Sequence, residues 1–358
     1  MTQYDNYATE ATELLKNLIK IPSVSREETA AADYMQHWME DHGLNPARVK
    51  NNLMLVAPDY NEQRPTLLLN AHIDTVRPAQ GWTLNPFSPT LDGDHLYGLG
   101  SNDCGGGLVT LLQVFRILSG QKRQYNLVYA ASAEEEVSGK EGFTLLKDSL
   151  PHIDVAIVGE PTGMQPAIAE KGLMVVDITA HGKAGHAARE EGINAIYKAI
   201  DQINYIRNLS FPKISPTLGK MKLTATIING GTLHNIIPDT CTYTLDIRTT
   251  DLYTNQEVLD YLKDHLDADV HARSTRLGSS SIPADHPLVK RCVQMGMSPF
   301  GSPTLSDQAL MPWPSMKLGP GQSARSHTAN EYILLSEINS ALHTYLALLD
   351  GVEISAQQ

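Results

Sequence analysis

Short segments of the sequence place imidazole and carboxylate side chains at the end of an apolar run. His72 and Asp74 lie two residues apart, directly after the apolar run at 66–71. Residues two apart in a strand point to the same face, so both side chains would lie together. An imidazole whose second nitrogen is held by a carboxylate is a common metal ligand. A satisfied polar pair without a function is the alternative interpretation of this spacing.

A glycine-dense segment, YGLGSNDCGGG at 97–107, presents Asp103 just before a predicted helix. Glycine permits close backbone approach and unusual dihedral angles. A phosphate-binding loop would also be rich in glycine, but no Gly-Lys-Ser/Thr follows, and the carboxylate would repel phosphate. The segment therefore favours the binding of a cation over the binding of phosphate.

Acidic residues follow the next two apolar runs, at 125–131 and 155–158. The first run leads into the three glutamates at 134–136, and the second leads into Glu160. Adjacent carboxylates at a strand end can divide their roles, because one can bind a cation while its neighbour acts as a general base. An acidic triplet is otherwise typical of a solvated turn.

A second histidine, His327, follows the glycine-rich turn at 319–321. The segments together offer histidine and carboxylate ligands without a Cys-x-x-Cys pair. Nitrogen and oxygen ligands suit borderline cations such as Zn²⁺. The residues therefore predict a hydrolytic site with two metal ions about 3.5–4 Å apart, bridged by one carboxylate.

The elements that must position these side chains alternate between strand and helix. The apolar runs at 66–71, 125–131 and 155–158 are typical of strands buried on both faces. A helix is predicted at 106–118, between the first two. The alternation predicts an α/β fold with a mostly parallel central sheet flanked by helices. Ligands of such sheets collect at the strand ends, where His72 and the acids lie.

Residues 173–285 differ in pattern from the rest of the chain. Residues 241–248 alternate strictly between polar and apolar side chains, as in a half-exposed antiparallel strand, and a capping box begins a helix at Thr254. We therefore predict an inserted α+β domain with an antiparallel sheet and two helices. Residues 1–172 and 286–358 would form the two parts of the catalytic domain.

Composition narrows the class of protein. The chain has 358 residues, of which 42% are apolar and 19% charged, as in a globular protein of two domains. A formal net charge of −12 without a basic stripe disfavours nucleic acid as a partner. No apolar run reaches the roughly 20 residues of a membrane helix, and no signal peptide is evident. With only three cysteines, the sequence predicts a cytoplasmic protein that binds neither nucleic acid nor membranes.

The motifs, in order from IPSVS at 21–25 to SHTANEY at 326–332, resemble those of one enzyme family. This is the acetylornithine deacetylase, succinyl-diaminopimelate desuccinylase and aminoacylase family of two-zinc metallohydrolases. The resemblance covers nearly the whole chain. It implies hydrolysis of an amide with two Zn²⁺ ions per subunit, for which Co²⁺ can substitute. It also implies a homodimer formed through the inserted domain, which would act as a lid.

The resemblance implies a ligand set for each metal ion. His72 and Glu136 would bind one zinc ion, and His327 and Glu160 would bind the other. Asp103 would bridge the two ions.

The resemblance also implies the catalytic and substrate-binding residues. Glu135, the acid before the ligating glutamate, would be the general base, and Asp74 would hold His72. His186 would reach the active site of the partner subunit and stabilise the oxyanion. Asn235 and Arg248 would hold the carboxylate of the substrate, a role that suits the planar fork of arginine.

Two positions depart from the family pattern. The family usually has arginine where this chain has Leu99, and lysine where it has Gly105. We expect these departures to affect loop rigidity and substrate preference without affecting metal binding. Cys104 is expected to fill space in the loop.

The resemblance favours a small N-acyl amino acid, N2-acetyl- or N2-succinyl-L-ornithine, as the substrate. The product would be L-ornithine for arginine biosynthesis, and Arg325 is a candidate for binding a succinyl carboxylate. Succinyl-diaminopimelate desuccinylase and a dipeptidase or carboxypeptidase share every zinc residue named above and stay open. A catalytically silent metal-binding scaffold is the alternative from a different class.

Overall fold

Two separate apolar cores divide the chain into two units. The computed structural model describes residues 4–189 and 191–354. The first unit comprises Met1–Ile168, Ser281–Phe300 and Ser306–Gln358, and the second comprises Ala169–Ser280 and Gly301–Leu305. The predicted metal ligands all belong to the first unit.

The helices and strands are numbered in chain order. The helices are α1 (Asp5–Ile19), α2 (Thr29–Asp41), α3 (Gly106–Ser119), α4 (Phe143–Leu146), α5 (Ala195–Asn208), α6 (Asn255–His265), α7 (Pro287–Gln294) and α8 (Leu335–Leu349). The strands are β1 (Ala47–Val49), β2 (Asn52–Val56), β3 (Thr66–His72), β4 (Thr90–Asp92), β5 (His95–Tyr97), β6 (Asn126–Ser132), β7 (Val155–Val158), β8 (Ala167–Glu170), β9 (Met174–His181), β10 (Gly185–His186), β11 (Lys222–Gly230), β12 (Ile236–Ile237), β13 (Thr240–Arg248), β14 (Asp269–Ala272), β15 (Ser280–Ser281), β16 (Phe300–Ser302), β17 (Ser315–Lys317) and β18 (Tyr332–Leu334). Within the described ranges, no helix is long and apolar enough to cross a membrane.

The first unit is built on a sheet in which strands β1, β2, β6, β3, β7 and β17 follow one another. Its central strands are parallel, because β3 pairs in parallel with β6 and β7, and β17 pairs in parallel with β7. Strands β1 and β2 add an antiparallel edge. Every residue of β3, β6 and β7 is buried, which explains their apolar runs. The prediction of a mostly parallel α/β sheet is confirmed.

Helices cover this sheet. Nearly every residue of α3 is buried, because the helix packs against β3 and β6 on one side and against α1 and α8 on the other. The N-terminal turn of α3 approaches the end of β7 so closely that a Cβ atom on Gly107 would overlap the backbone of Gly159. Glycine at 107 therefore sets the distance between α3 and the strand end that leads to Glu160.

The second unit is a four-stranded antiparallel sheet in the order β11, β13, β9, β14. Helices α5 and α6 contribute to its apolar core. Tyr243, Leu245 and Ile247 of β13 are completely buried in that core, as their alternation predicts. Thr254 and Glu257 form the predicted capping box at the start of α6. The prediction of an antiparallel sheet with two helices is confirmed.

Candidate functional site

The parallel strands of the first unit deliver several predicted ligands to one edge of the sheet. His72 is the last residue of β3, and Glu160 lies two residues beyond the end of β7. Glu136 lies in the short turn Glu135–Val137 that follows β6. Because the carboxyl ends of parallel strands meet at the same edge, these side chains converge there.

Two loops complete the group. Asp103 lies in the helical turn Ser101–Gly105 before α3, and the peptide bond between Asp103 and Cys104 is cis. His327 lies in the segment between β17 and β18. Its φ of 60° is in the left-handed region, which non-glycine residues rarely adopt and which is enriched at functional sites.

Asp103 lies between the two histidines. Its Oδ1 is 3.3 Å from Nε2 of His72, and its Oδ2 is 3.5 Å from Nε2 of His327. Each oxygen of one carboxylate thus faces a different imidazole. This geometry suits a carboxylate that bridges two cations.

The two glutamates divide between the histidines. Oε1 of Glu160 lies 3.7 Å from Nε2 of His72, and Oε2 of Glu136 lies 3.0 Å from Nε2 of His327. The resemblance implied the reverse pairing, and these distances favour Glu160 with His72 and Glu136 with His327. Strands β6 and β7 both pair with β3, but Glu160 lies close to the end of β7, whereas Glu136 lies further beyond β6, in the turn whose backbone Asp74 holds.

Asp74 uses its carboxylate to hold the turn that follows β6. Its Oδ1 and Oδ2 accept the backbone N–H groups of Glu135 and Glu136, at 3.0 and 3.1 Å. The hydroxyl of Ser25 donates to Oδ2 at 2.7 Å. The carboxylate was expected to hold His72, but its Oδ1 lies 3.6 Å from Nδ1 of that imidazole. The closer contact of Asp74 is therefore with the backbone that carries the candidate base.

The imidazole of His72 is oriented by a backbone group. Its Nδ1 lies 2.8 Å from the carbonyl oxygen of Asp74, and a carbonyl can only accept a hydrogen bond. Nδ1 therefore carries a proton, and Nε2 is directed at Asp103 as the nitrogen that can bind a metal ion.

Burial shifts the pKa values of this cluster. Desolvation raises the pKa of Glu160 to about 8 and also raises the pKa of Glu135. The hydrogen bond to Glu136 raises the pKa of His327 to about 9. The cluster therefore holds protons unless a cation competes for the same oxygen and nitrogen atoms.

The donor set fits divalent metal ions. Oε1 of Glu160 is buried and has no hydrogen-bond partner in the part of the chain that the structure describes. Ligand atoms of His72, Asp103 and Glu136 all lie within 4.8 Å of one another. Buried carboxylate oxygens are costly unless they are paired, and cations of the Zn²⁺ type accept this mixture of imidazole and carboxylate donors.

Cys104 lies beside the same group, within 4.8 Å of donor atoms of His72 and Glu160. Its sulfur accepts the backbone N–H of His72 at 3.2 Å. Burial raises the pKa of the thiol, which keeps it neutral, and a neutral thiol is a poor metal ligand. Asp103 and Glu136 are therefore better candidates than Cys104.

The two departures from the family pattern lie in tightly packed positions. Leu99 is 5% exposed. A Cβ atom on Gly105 would overlap the carbonyl oxygen of Gly100 and the side chain of Leu15. This loop therefore has no room for the lysine that the family usually has at position 105.

His186 and Asn235 lie side by side in the second unit. His186 is exposed at the end of β10, and its Nδ1 accepts the backbone N–H of Ala188 at 3.1 Å. The carbonyl oxygen of Asn235 accepts the N–H of Ala187 at 3.0 Å, and His186 pairs with Ile236 across the two-stranded sheet. The backbone thus fixes these two predicted residues next to each other.

Arg248 is the last residue of β13 and is partly exposed. Its Nε and Nη2 donate to the two carboxylate oxygens of Asp246, at 2.8 and 3.1 Å. A substrate carboxylate would therefore compete with Asp246 for the planar fork.

Arg325 is already engaged. Its Nη1 and Nη2 donate to the two carboxylate oxygens of Glu337, at 2.7 and 3.1 Å, and its guanidinium lies 4.5 Å from the centre of the Tyr332 ring. These two contacts favour a structural role for Arg325 over the predicted role in binding a succinyl group.

Sequence reasoning assigned no role to Glu331 or to Ser25. Glu331 is buried and accepts hydrogen bonds from the backbone of the Asp103 loop, and burial raises its pKa to about 7. The signal that could have revealed Glu331 is an acid four residues after a candidate ligand histidine, inside an otherwise polar segment.

Parts of the chain match two protein-family models. Residues 168–273 match the peptidase dimerisation domain (M20_dimer), and residues 52–157 match peptidase family M28. The first match covers most of the second unit, and the second runs from β2 to β7.

Known proteins resemble almost the whole chain. The acetylornithine deacetylases of Proteus mirabilis (strain HI4320) and Shigella sonnei (strain Ss046) are each 29% identical over 90% of this chain and over 91% and 92% of their own lengths. A tripeptidase from Staphylococcus aureus has a TM-score of 0.75 at 19% identity, covering 96% of this chain and 97% of its own. The Bacillus subtilis YXEP protein, described as a dinuclear metal binding peptidase from the M20 family, has a TM-score of 0.73 at 16% identity, covering 97% of this chain and 100% of its own. The chain is therefore similar over most of its length to hydrolases of the M20 peptidase type, and its residues 168–273 match a peptidase dimerisation domain.

Proposed function

We propose that this protein hydrolyses the amide bond of a small N-acyl amino acid, with N2-acetyl- or N2-succinyl-L-ornithine as the first candidate. The observation that carries the proposal is the position of Asp103. One of its carboxylate oxygens faces His72, and the other faces His327. The similarity to acetylornithine deacetylases over 90% of the chain supports the ornithine substrate.

Two Zn²⁺ ions, replaceable by Co²⁺, would be held by the clustered imidazoles and carboxylates. His72 and Glu160 would hold one ion, His327 and Glu136 would hold the other, and Asp103 would bind both. When bound, such ions polarise the acyl carbonyl and make a water molecule more acidic.

Glu135 would act as the general base. It would take a proton from the attacking water and deliver it to the amine nitrogen as the C–N bond breaks, which leaves a carboxylate and a free amine. The two hydrogen bonds from the Glu135–Glu136 backbone to Asp74 support this role, because they fix the turn from which Glu135 projects.

Residues of the second unit would bind the substrate. His186 of a partner subunit would donate to the oxyanion, and its neighbour Asn235 would bind the substrate nearby. Arg248 would release the carboxylate of Asp246 and bind the carboxylate of the substrate in its place.

An exposed apolar edge supports a homodimer through the second unit. Strand β11 lies at the edge of its sheet, and Ile227 and Ile228 are 50% and 49% exposed. Tyr197 on helix α5 is 68% exposed. An uncovered edge strand with apolar side chains readily pairs with another chain, and this segment matches a peptidase dimerisation domain.

The first test is the release of free amine by zinc-loaded protein. The substrates are acetylornithine, succinylornithine, succinyl-diaminopimelate and several dipeptides, and Glu135→Ala is the control. We expect one acylornithine to be preferred and the variant to lose about 10²–10⁴-fold in kcat. Removal of the metal with a chelator should abolish turnover, and added Zn²⁺ should restore it.

Other outcomes of this assay would assign a different function to the protein. A preference for dipeptides would make it a peptidase and would contradict the acylornithine substrate. Two tightly bound metal ions without turnover of any amide would indicate a silent scaffold and would overturn the enzymatic proposal.

A further inference from the structure

The loop that carries Asp103 is held by a carboxylate from the C-terminal part of the chain. Glu331 is only 2% exposed. Its Oε1 accepts the backbone N–H groups of Asn102 and Asp103, both at 2.9 Å, and its Oε2 accepts that of Gly100 at 3.1 Å. One buried side chain thus binds three N–H groups of four consecutive residues.

The same two segments are also linked by a side chain that points the other way. Oδ1 of Asn102 accepts the N–H of Gln322 at 2.9 Å, and its Nδ2 donates to the carbonyl oxygen of Gln322 at 3.1 Å. Nδ2 also lies 3.3 Å from the hydroxyl of Ser326. His327 therefore lies between two attachments to the Asp103 loop, one before it in the chain and one after it.

These attachments decide where the carboxylate of Asp103 points. The three N–H groups that Glu331 accepts include that of Asp103 itself, so they fix the backbone from which its side chain projects. Three N–H groups that converge on one buried carboxyl group hold a loop in one conformation more tightly than a single hydrogen bond does. A change of a few tenths of an ångström in this backbone would alter both the 3.3 Å contact with His72 and the 3.5 Å contact with His327.

We propose that Glu331 is a positioning residue of the metal centre, which aims Asp103 at both metal positions by holding the 100–103 backbone. The inference rests on the proposed two-metal function. It assigns Glu331 no contact with substrate, and its effect passes entirely through Asp103.

The test compares Glu331→Gln with the matched variant Glu337→Gln. Glu337 also accepts a backbone N–H, that of Leu334 at 3.0 Å, but its carboxylate serves Arg325 and the start of α8. Glutamine at 331 keeps the shape of the side chain and turns an NH₂ group toward an N–H donor. The probe is Zn²⁺, titrated into metal-free protein against a chromophoric chelator, together with the visible spectrum of the Co²⁺-loaded protein.

We expect Glu331→Gln to bind Zn²⁺ about 10–100-fold more weakly, to change the Co²⁺ spectrum, and to lower kcat with little change in KM. Glu337→Gln should keep the wild-type Zn²⁺ affinity and spectrum, even where its thermal stability falls. Glu331→Asp, which restores the charge on a shorter side chain, should lie between Glu331→Gln and the wild type. Glu331→Asp also provides the test if the Glu331→Gln variant does not fold.

The outcomes separate this inference from the proposed function. If the wild type takes up two Zn²⁺ ions and both Glu331 variants bind them with unchanged affinity and spectrum, Glu331 only stabilises the fold and the inference is overturned. If Glu337→Gln weakens Zn²⁺ binding as much as Glu331→Gln does, the effect is general and the inference is likewise overturned. If the wild type takes up no Zn²⁺, the proposed function fails first.

Discussion

The acidic residues of the site differ in what their oxygen atoms face. Those of Asp103, Glu136 and Glu160 face imidazoles, whereas those of Asp74 and Glu331 accept backbone N–H groups. Carboxylates that face imidazoles can exchange protons for a cation, while carboxylates bound to N–H groups are satisfied without one. Under the proposed function, the same side chain would therefore serve as a metal ligand in one position and hold the backbone in another.

The engaged guanidinium of Arg325 leads to a prediction at the residue scale. Arg325→Ala should leave the ratio of kcat/KM for acetyl- and succinylornithine unchanged. It should lower the free energy of unfolding by about 1–2 kcal/mol, because both the ion pair with Glu337 and the stacking on Tyr332 are lost. Urea unfolding measures the stability, and amine release measures the ratio.

A surface ion pair provides the control. Arg77 lies 3.3 Å from Glu27, and both side chains are largely exposed, so Arg77→Ala should change neither quantity. A changed acyl preference for Arg325→Ala at unchanged stability would contradict the structural role.

The ligand candidates could be named from residue types and their order in the sequence. Which glutamate lies beside which histidine could not be predicted in this way. Which histidine lies nearer to Glu160 depends on the position of β7 beside β3, and local patterns do not encode the order of strands in a sheet. The contact between Asp74 and the Glu135–Glu136 backbone was missed for a related reason. A pattern two residues apart suggests the nearest imidazole as a partner and contains nothing about a turn some 60 residues away.

At the scale of elements, long apolar runs were predictable and short strands were not. Strands β3, β6 and β7 and helix α3 lie where buried, nearly continuous apolar segments predict them. The three-stranded sheet of β4, β5 and β18 was not predicted. Each of its strands has only three residues, and the third strand, β18, joins the β4–β5 hairpin by pairing with β5 across most of the chain length.

The close approach of α3 to β7 leads to a prediction at the element scale. Gly107→Ala should destabilise the protein by about 1–3 kcal/mol, because its Cβ would overlap the backbone of Gly159 and force the helix away from the strand. Since Glu160 follows Gly159, Zn²⁺ affinity should fall as well. Urea unfolding of metal-free protein and Zn²⁺ titration measure the two effects.

Gly120 at the end of the same helix is the matched control. The nearest atom to a Cβ at Gly120 is the carbonyl oxygen of Ile117, at 3.8 Å, and its φ of −85° suits any residue. Gly120→Ala should therefore change stability by no more than about 0.5 kcal/mol. Equal stability of the two variants would mean that α3 can move away from β7 without cost.

At the scale of the whole molecule, the proposed catalytic set is divided between subunits, which leads to a complementation prediction. Homodimers of Glu135→Ala and of His186→Ala should both be nearly inactive, the second through a loss of about 10²–10³-fold in kcat with a smaller change in KM. A purified heterodimer of the two variants should regain about half of the wild-type activity, because one of its two sites carries both residues. Co-expression with two affinity tags provides the heterodimer, and amine release measures the activity.

A heterodimer as inactive as its parents would show that His186 acts within its own subunit, whereas an active His186→Ala homodimer would show that His186 has no catalytic role. The double variant paired with wild type is the control. It leaves each site with one of the two residues missing, so it should show no more activity than the single-variant homodimers.

The proposed metal ligands lie on both sides of the second unit in the chain, since His72 precedes it and His327 follows it. At a synthesis rate of about 5–20 residues per second, His327 leaves the ribosome's active centre roughly 13–50 s after His72. By the end of that interval the growing chain contains His72, Asp103, Glu136 and Glu160, but without His327 the second proposed metal position is incomplete. Under the proposed two-metal function, the second metal position can therefore form only after the whole second unit has been synthesised.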